Sequence, residues 1–312
     1  MKAIRFHSTG GPEVLSLEDV QTPTPAAGEV RVRVAATAFN AADAGIRAGT
    51  LPIPAVLPHI PGYDVSGTVD AVGEGVDAYA VGDAVIGFLS MTADGGAAEY
   101  VVTPVESLVA APTSIPLEDA AALPSVALTA MQALFDEAGL ASGQRVLIVG
   151  AGGAVGGHAI RLARHAGAHV IATASPRSRG SVEAAGADEV VDHTSTAVTS
   201  ALTEPVDVLL NLAPIDPAEF TELVALVKDG GVVVSSTAWM PTPSDDARSV
   251  RAATVYVRAD MQQLAHLVGL VDDGTLRVEV ERRVSLDELP GIHREAAAGG
   301  LRGKVIVIPG QN

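Results

Sequence analysis

Val146-Leu-Ile-Val-Gly150-Ala-Gly-Gly153-Ala-Val-Gly156 is the stretch on which the fold turns. Four apolar residues, rich in branched side chains, read as a buried strand. A glycine-rich turn follows at once, and helical spacing starts at Val155 and runs to Ala166. Glycine lets the backbone turn sharply and lets an anion approach it closely. The helix start then offers unpaired N–H groups and the positive end of a dipole. A strict G-x-G-x-x-G from Gly150 fails because Val155 stands at the last glycine position. The register Gly150, Gly153, Gly156 fits a longer turn of the same kind. Gly150, Gly152, Gly153, Ala154, Val155 and Gly156 are therefore expected to hold a dinucleotide diphosphate. The plainer alternative is a tight strand–helix turn that binds nothing.

Working outward, the same alternation continues. His169–Thr173 reads as a strand, Ser181–Ala185 as a helix, and Glu189–Val191 and Val206–Leu210 as strands. Phe220–Val227 reads as a helix and Val232–Ser235 as a strand. Strands alternating with helices imply right-handed crossovers and a parallel, doubly wound sheet. Ligands of such sheets lie at the carboxyl ends of the strands. That places Asn211, Leu212 and Ala213, and Ser235, Ser236 and Thr237, in the expected cofactor pocket. Leu117–Leu123 and Ala127–Ala138 precede this region with helical spacing.

The second strand speaks to the cofactor. NAD-binding chains usually carry Asp or Glu there, bonded to the ribose hydroxyls. Here the strand ends Ile171-Ala-Thr-Ala-Ser175-Pro-Arg177-Ser-Arg179, without a carboxylate. Ser175 can donate a hydroxyl, and Arg177 and Arg179 can pair with a 2′-phosphate. NADPH is the expected cofactor; a solvated basic loop is the alternative.

Upstream, Val30–Ala36, Tyr63–Val72, Ala84–Phe88 and Ala98–Val102 are short apolar runs separated by Gly and Asp turns. They point to a β-barrel-like domain. Val278–Val284 and Lys304–Ile308 read as strands at the far end, with an acidic helix start at Leu286–Leu289. The fold class is α/β.

Composition sets limits. Of the 312 residues, 3% are aromatic, so the core must rest on Val, Leu, Ile and Ala. The net charge of −17 argues against a nucleic-acid partner. No cysteine is present, which excludes disulfides, thiolate metal sites and cysteine nucleophiles. No apolar run approaches the roughly 18 residues of a membrane span, and no secretory pattern is visible. A soluble, cytoplasmic protein without a membrane partner is expected.

Three motifs carry a family resemblance. The first is Asn40-Ala-Ala-Asp43-x-x-x-Arg47-x-Gly49. The second is Pro61-Gly62-Tyr63-Asp64-Val-Ser-Gly67-x-Val69-x-x-Val72-Gly73, continued by Val81-Gly82-Asp83-x-Val85. The third is the glycine loop followed by Ala187-Asp188-Glu-Val-Val-Asp192, with Gly303-Lys304-Val-Ile-Val-Ile308 closing the chain. In this order they resemble zeta-crystallin and the bacterial quinone oxidoreductases of the medium-chain dehydrogenase/reductase family.

The resemblance implies a GroES-like β-barrel catalytic domain (1–112 and 277–312) with a Rossmann NADPH-binding domain (113–276) inserted into it. It implies an active site in the cleft between the domains and a homodimer joined through the sheet edges. Zinc-dependent relatives carry Cys where this chain has Asn40 and His where it has Tyr63, and the four-cysteine lobe is absent. The resemblance therefore implies a site without metal. It also places Thr129 near the nicotinamide and His193 near the adenosine phosphate. Related enoyl reductases carry Tyr shortly after the position of Gly49, where this chain has Thr50 and Leu51.

The implied chemistry is hydride transfer from NADPH to a small quinone or α,β-unsaturated carbonyl substrate. Charge develops on the acceptor oxygen, so a donor near it lowers the barrier. Asn40 is the first candidate, with a turn-holding amide as its alternative role. Tyr63 is the second, with a core aromatic as its alternative. A competing reading of the whole chain is a nucleotide-binding relative with little turnover, in a structural or redox-sensing role.

Overall fold

The chain starts with β1 (Lys2–Arg5) antiparallel to β2 (Ser16–Asp19) in the computed structural model, which describes residues 1–237 and 239–310. In β3 (Glu29–Ala38) the Val-Arg alternation sorts as a strand requires. Val30, Val32 and Val34 are buried, while Arg31 turns the other way to Asp70, Nε to Oδ2 at 2.7 Å. There follow α1 (Ala41–Ala48), β4 (Asp64–Val72), β5 (Ala84–Phe88), β6 (Tyr100–Pro104) and β7 (Leu108–Ala110). β4 pairs with β3 along most of its length, and β6 pairs with the first half of β3. The three valines of β3 pack with Val65, Val69, Val85, Leu89, Val101 and Leu108.

α2 (Pro124–Met131) is preceded by a 3-10 turn at Asp119–Ala122 and runs on as a π-helical turn at Gln132–Glu137. Of the helices expected here, the first is reduced to the 3-10 turn, and the second starts earlier, at Pro124, and changes pitch. Pro124 has no N–H, so the turn before it cannot continue into α2 as one helix.

The second part of the chain is β8 (Arg145–Val149), α3 (Ala154–His165), β9 (His169–Ala174), α4 (Arg179–Ala185), β10 (Glu189–Asp192), α5 (Val198–Ala201), β11 (Val206–Asn211), α6 (Pro217–Leu223), β12 (Val227–Ser235) and β13 (Arg251–Thr254). All six strands are parallel, in the order β10-β9-β8-β11-β12-β13. The winding reverses between β8 and β11. One side of this sheet is filled by Leu147, Ile171, Leu209, Phe220, Leu223 and Val233. α6 starts earlier than the apolar spacing implied. The Asp216 side chain caps it by accepting from Ala218 N, with Pro217 at the first position, and Val227 already opens β12.

The chain then returns with α7 (Met261–Asp272), β14 (Arg282–Ser285), α8 (Leu289–Ala297) and β15 (Val305–Ile308). β15 pairs antiparallel with the end of β3, and β14 pairs parallel with β15. Of the strand expected at Val278–Val284, only the end is regular. Val278 and Val280 instead pack against Ala36, Ala38, Ala121, Ala122, Ile306 and Ile308.

The two units are Met1–Ser125 with Ala259–Asn312, and Val126–Arg258. These limits lie inside the boundaries expected at 112/113 and 276/277. The turn at Asp119–Ala122 packs with β3, β4 and β15, and Arg283 holds Asp119 through two nitrogens. Asp272 at the end of α7 accepts from the N–H groups of Thr113 and Ser114. Both segments thus belong to the first unit. No helix among the described residues is long and apolar enough to cross a membrane.

Candidate active site

In the second unit, the carboxyl ends of β8, β9, β11 and β12 lie on one edge of the sheet. The stretches after Val149, Ala174, Asn211 and Ser235 therefore share that edge, with the turn of the winding between β8 and β11. Gly150 has φ 80° and donates its N–H to Thr173 Oγ1 at 3.1 Å. A Cβ on Gly150 would stand 2.8 Å from Ala213 Cβ, and one on Gly152 would stand 2.5 Å from Ser178 Cβ. Both glycines are set by neighbouring segments of the protein itself. Gly153, which precedes α3, differs: a Cβ there would meet nothing closer than Gly150 O at 3.5 Å. Open space at Gly153 lies beside the first turn of α3, where Ala154 and Val155 carry N–H groups without an intrahelical partner. A diphosphate cradle fits this arrangement.

At the end of β9, Ser175 is half-buried and its N–H is held by Ser178 Oγ at 3.0 Å. Arg177 is exposed, and Arg179 pairs with Glu183 at 3.0 Å. His193 is exposed after β10, its N–H on Ala174 O at 3.2 Å. Asn211, Ser235 and Thr237 are buried and bind one another's strand ends: Ser235 Oγ lies 2.6 Å from Thr237 Oγ1, and Asn211 Oδ1 accepts from Ala213 N at 3.2 Å. They tie the ends of β11 and β12 to one another. Leu212, Ala213 and Ser236 are half-buried between them, and Thr129 is half-buried on α2.

In the first unit, Asn40 ends the chain leaving β3 and starts α1. Its N–H is taken by Asp43 Oδ2 at 2.8 Å, and Asp43 Oδ1 accepts from Gly62 N at 2.7 Å. Burial pushes the Asp43 carboxyl up to about 7, against the two N–H groups that favour its charged form. The brace ties the start of α1 to the segment before β4.

Beside it lies a buried polar cluster. Asp64, fully buried at the start of β4, accepts from Ser125 N at 2.8 Å, Ser125 Oγ at 2.6 Å, Asn40 Nδ2 at 3.0 Å and Lys304 Nζ at 2.9 Å. Lys304 is only 4% exposed, and its ammonium also donates to Asn40 Oδ1. Asn40 itself stays half-exposed. Among the described residues its second N–H has only Ala38 O, at 3.4 Å, which is a weak bond at best.

Tyr63 does not fit the donor role expected of it. It is 1% exposed, and its hydroxyl lies 2.8 Å from His59 Nε2, itself buried. Burial and the His59 contact make Tyr63 a core aromatic. Sequence reasoning missed Ser125 and Lys304. Lys304 heads an apolar run of four residues, and a charge at the mouth of a buried strand demands a partner. Ser125 is the second residue of α2, and nothing in its local sequence marks it as a partner of Asp64.

Residues 26–113 match the alcohol dehydrogenase GroES-like domain, and residues 185–307 match the zinc-binding dehydrogenase family. A chloroplast envelope quinone oxidoreductase homolog of Arabidopsis thaliana is 32% identical, over 99% of this chain and 98% of its own. The structure of the quinone oxidoreductase from Coxiella burnetii superposes with a TM-score of 0.89 at 30% identity, over 99% of each chain. The crystal structure of an NAD-dependent alcohol dehydrogenase gives 0.92 at 30% identity, over 99% of this chain and 100% of that one.

Proposed function

This chain belongs to the medium-chain dehydrogenase/reductase family of oxidoreductases, and we propose that it transfers hydride from NADPH, without zinc, to a quinone or an α,β-unsaturated carbonyl compound. The observation that carries the reading is the Asn40–Asp64–Lys304 cluster. Zinc needs about three N, S or O ligands with free lone pairs. Here Asp64 has its lone pairs taken by four donors, and the Lys304 ammonium lies against it, which disfavours a second cation. Asn40 is neutral. Among the described residues no group of three His, Cys, Asp or Glu side chains is placed to hold a metal ion.

When bound, a reduced nicotinamide supplies the hydride. The protein supplies a donor for the oxygen on which charge then develops, and the weakly held N–H of Asn40 is the one this cluster offers. The proposal includes a cytoplasmic homodimer acting on a small molecule, with neither nucleic acid nor membrane as partner. Activity tests the whole reading. After prolonged chelation the protein should still oxidise NADPH with members of a panel of quinones and enones. One zinc per chain, with turnover lost on its removal, would overturn it. A folded protein that binds NADPH yet reduces none of the panel would favour the structural or sensing alternative.

NADPH rather than NADH is supported by the end of β9, where the carboxylate of NAD-binding chains is missing. The Arg179–Glu183 pair is exposed on both sides, so it competes weakly with a 2′-phosphate. Arg177→Ser with Arg179→Ser should weaken NADPH binding while sparing NADH. Removing each guanidinium–phosphate hydrogen bond should cost about 1.5 kcal/mol, the low end for exposed groups. Calorimetric titration with both nucleotides reads this directly, and equal affinity of the unaltered protein for the two would contradict it.

A further inference from the structure

We propose that Lys304 is a positioning residue that sets the orientation and the donor strength of the Asn40 amide. Lys304 carries only donors, so the atom of Asn40 facing its ammonium must be Oδ1. Asp64 is an acceptor at the other side, so Nδ2 must face it. The flipped amide would set N–H against ammonium and oxygen against carboxylate. Ser125 Oγ lies 3.1 Å from Asn40 Oδ1 but 2.6 Å from Asp64 Oδ2, and its one proton belongs on the shorter, charged bond. Lys304 is thus the charged donor to Oδ1, which also faces the Asp43 N–H of the capping box.

Donation to Oδ1 draws electron density from Nδ2, and chains of such bonds strengthen one another in a buried setting. The ammonium therefore makes the second, weakly held N–H of Asn40 a better donor. It also balances the charge of Asp64, which would otherwise stand beside any oxygen that gains negative charge. This inference rests on the proposed donor role of Asn40.

The chain has three asparagines, so labelling them with ¹⁵N makes the Asn40 side-chain amide readable by NMR without turnover. In Lys304→Met the Asn40 amide signals should shift and its protected proton should exchange faster. Unchanged signals would overturn the inference. The kinetic arm is a double-mutant cycle on hydride transfer from NADPH to 1,4-benzoquinone. Lys304→Met should slow the step by about fivefold or more alone, and by less than about twofold on an Asn40→Ala background.

Additive effects would mean that Lys304 acts structurally, not through Asn40. An Asn40→Ala protein as fast as the unaltered one would remove the donor role and this inference with it. A slow Asn40→Ala protein with additive effects removes only the positioning role. Should Lys304→Met not fold, Lys304→Gln carries the same measurements. It keeps a donor of similar reach and should show a smaller loss.

Discussion

Asp64→Ala should lower the stability of the protein by about 3–5 kcal/mol, the usual consequence of removing one partner of a buried ion pair. Four donors lose an acceptor at once, Ser125 Oγ among them. The Lys304 ammonium is left buried beside a neutral methyl group, and Ser125 N and Asn40 Nδ2 are left without their carboxylate oxygen. Uncompensated charge dominates that loss, because an ammonium cannot be desolvated cheaply. For a chain of this size the thermal midpoint should fall by on the order of 10 °C. Asp64→Asn paired with Lys304→Met is the control. It removes both charges and keeps an oxygen for Ser125 N, so most of the loss should be recovered. Should the paired variant be as unstable as Asp64→Ala, the hydrogen bonds rather than the charge would be the decisive quantity.

The cluster also marks where reading the sequence stops. The loop from Gly150 to Gly156 is legible because strand, turn and helix follow one another within a dozen residues, and each local preference agrees with the next. The strands at Ala84–Phe88 and His169–Ala174 are legible for the same reason. Asp64 and Lys304 are 240 positions apart, and it takes the pairing of both β15 and β4 with the end of β3 to bring them together. Nothing local to Lys304 names its partner. Tyr63 illustrates the opposite error. Its neighbour Asp64 belongs to the cluster, yet Tyr63, just before β4, turns into the core toward His59. α7 has a legible start in Asp260, whose side chain accepts from Gln263 N, but the apolar spacing alone led to no element there.

Gly153 and Gly156 separate two roles that the glycine spacing alone merges. From the spacing, Gly156 stays small for the sake of the diphosphate, in a protein that still folds with Val in its place. The structure gives a different reason. A Cβ on Gly156 would overlap the carbonyl oxygen of Ala151 and stand 2.5 Å from its carbonyl carbon. Backbone cannot swing aside as a side chain can, so Gly156→Val must displace the whole turn or push α3 off it. Nucleotide binding should be lost, and stability should fall by several kcal/mol as well, about 1–3 for overpacking and more for the displaced turn. Gly153→Ala is the discriminating change. Gly153 has φ −86° and ψ 174°, a conformation alanine adopts freely, and its Cβ meets no protein atom closer than 3.5 Å. The altered protein should therefore melt within about 1 °C of the original, since no named source of destabilisation applies. Its methyl group would stand at the start of α3, where the proposed diphosphate must approach the first-turn N–H groups. Losing one or two of those charge-assisted bonds should cost about 1.5–3 kcal/mol, a drop of roughly ten- to a hundredfold in NADPH affinity. Titration of folded Gly153→Ala with NADPH decides the matter. Unchanged affinity would mean that the loop is a tight turn and that the nucleotide, if bound, lies elsewhere.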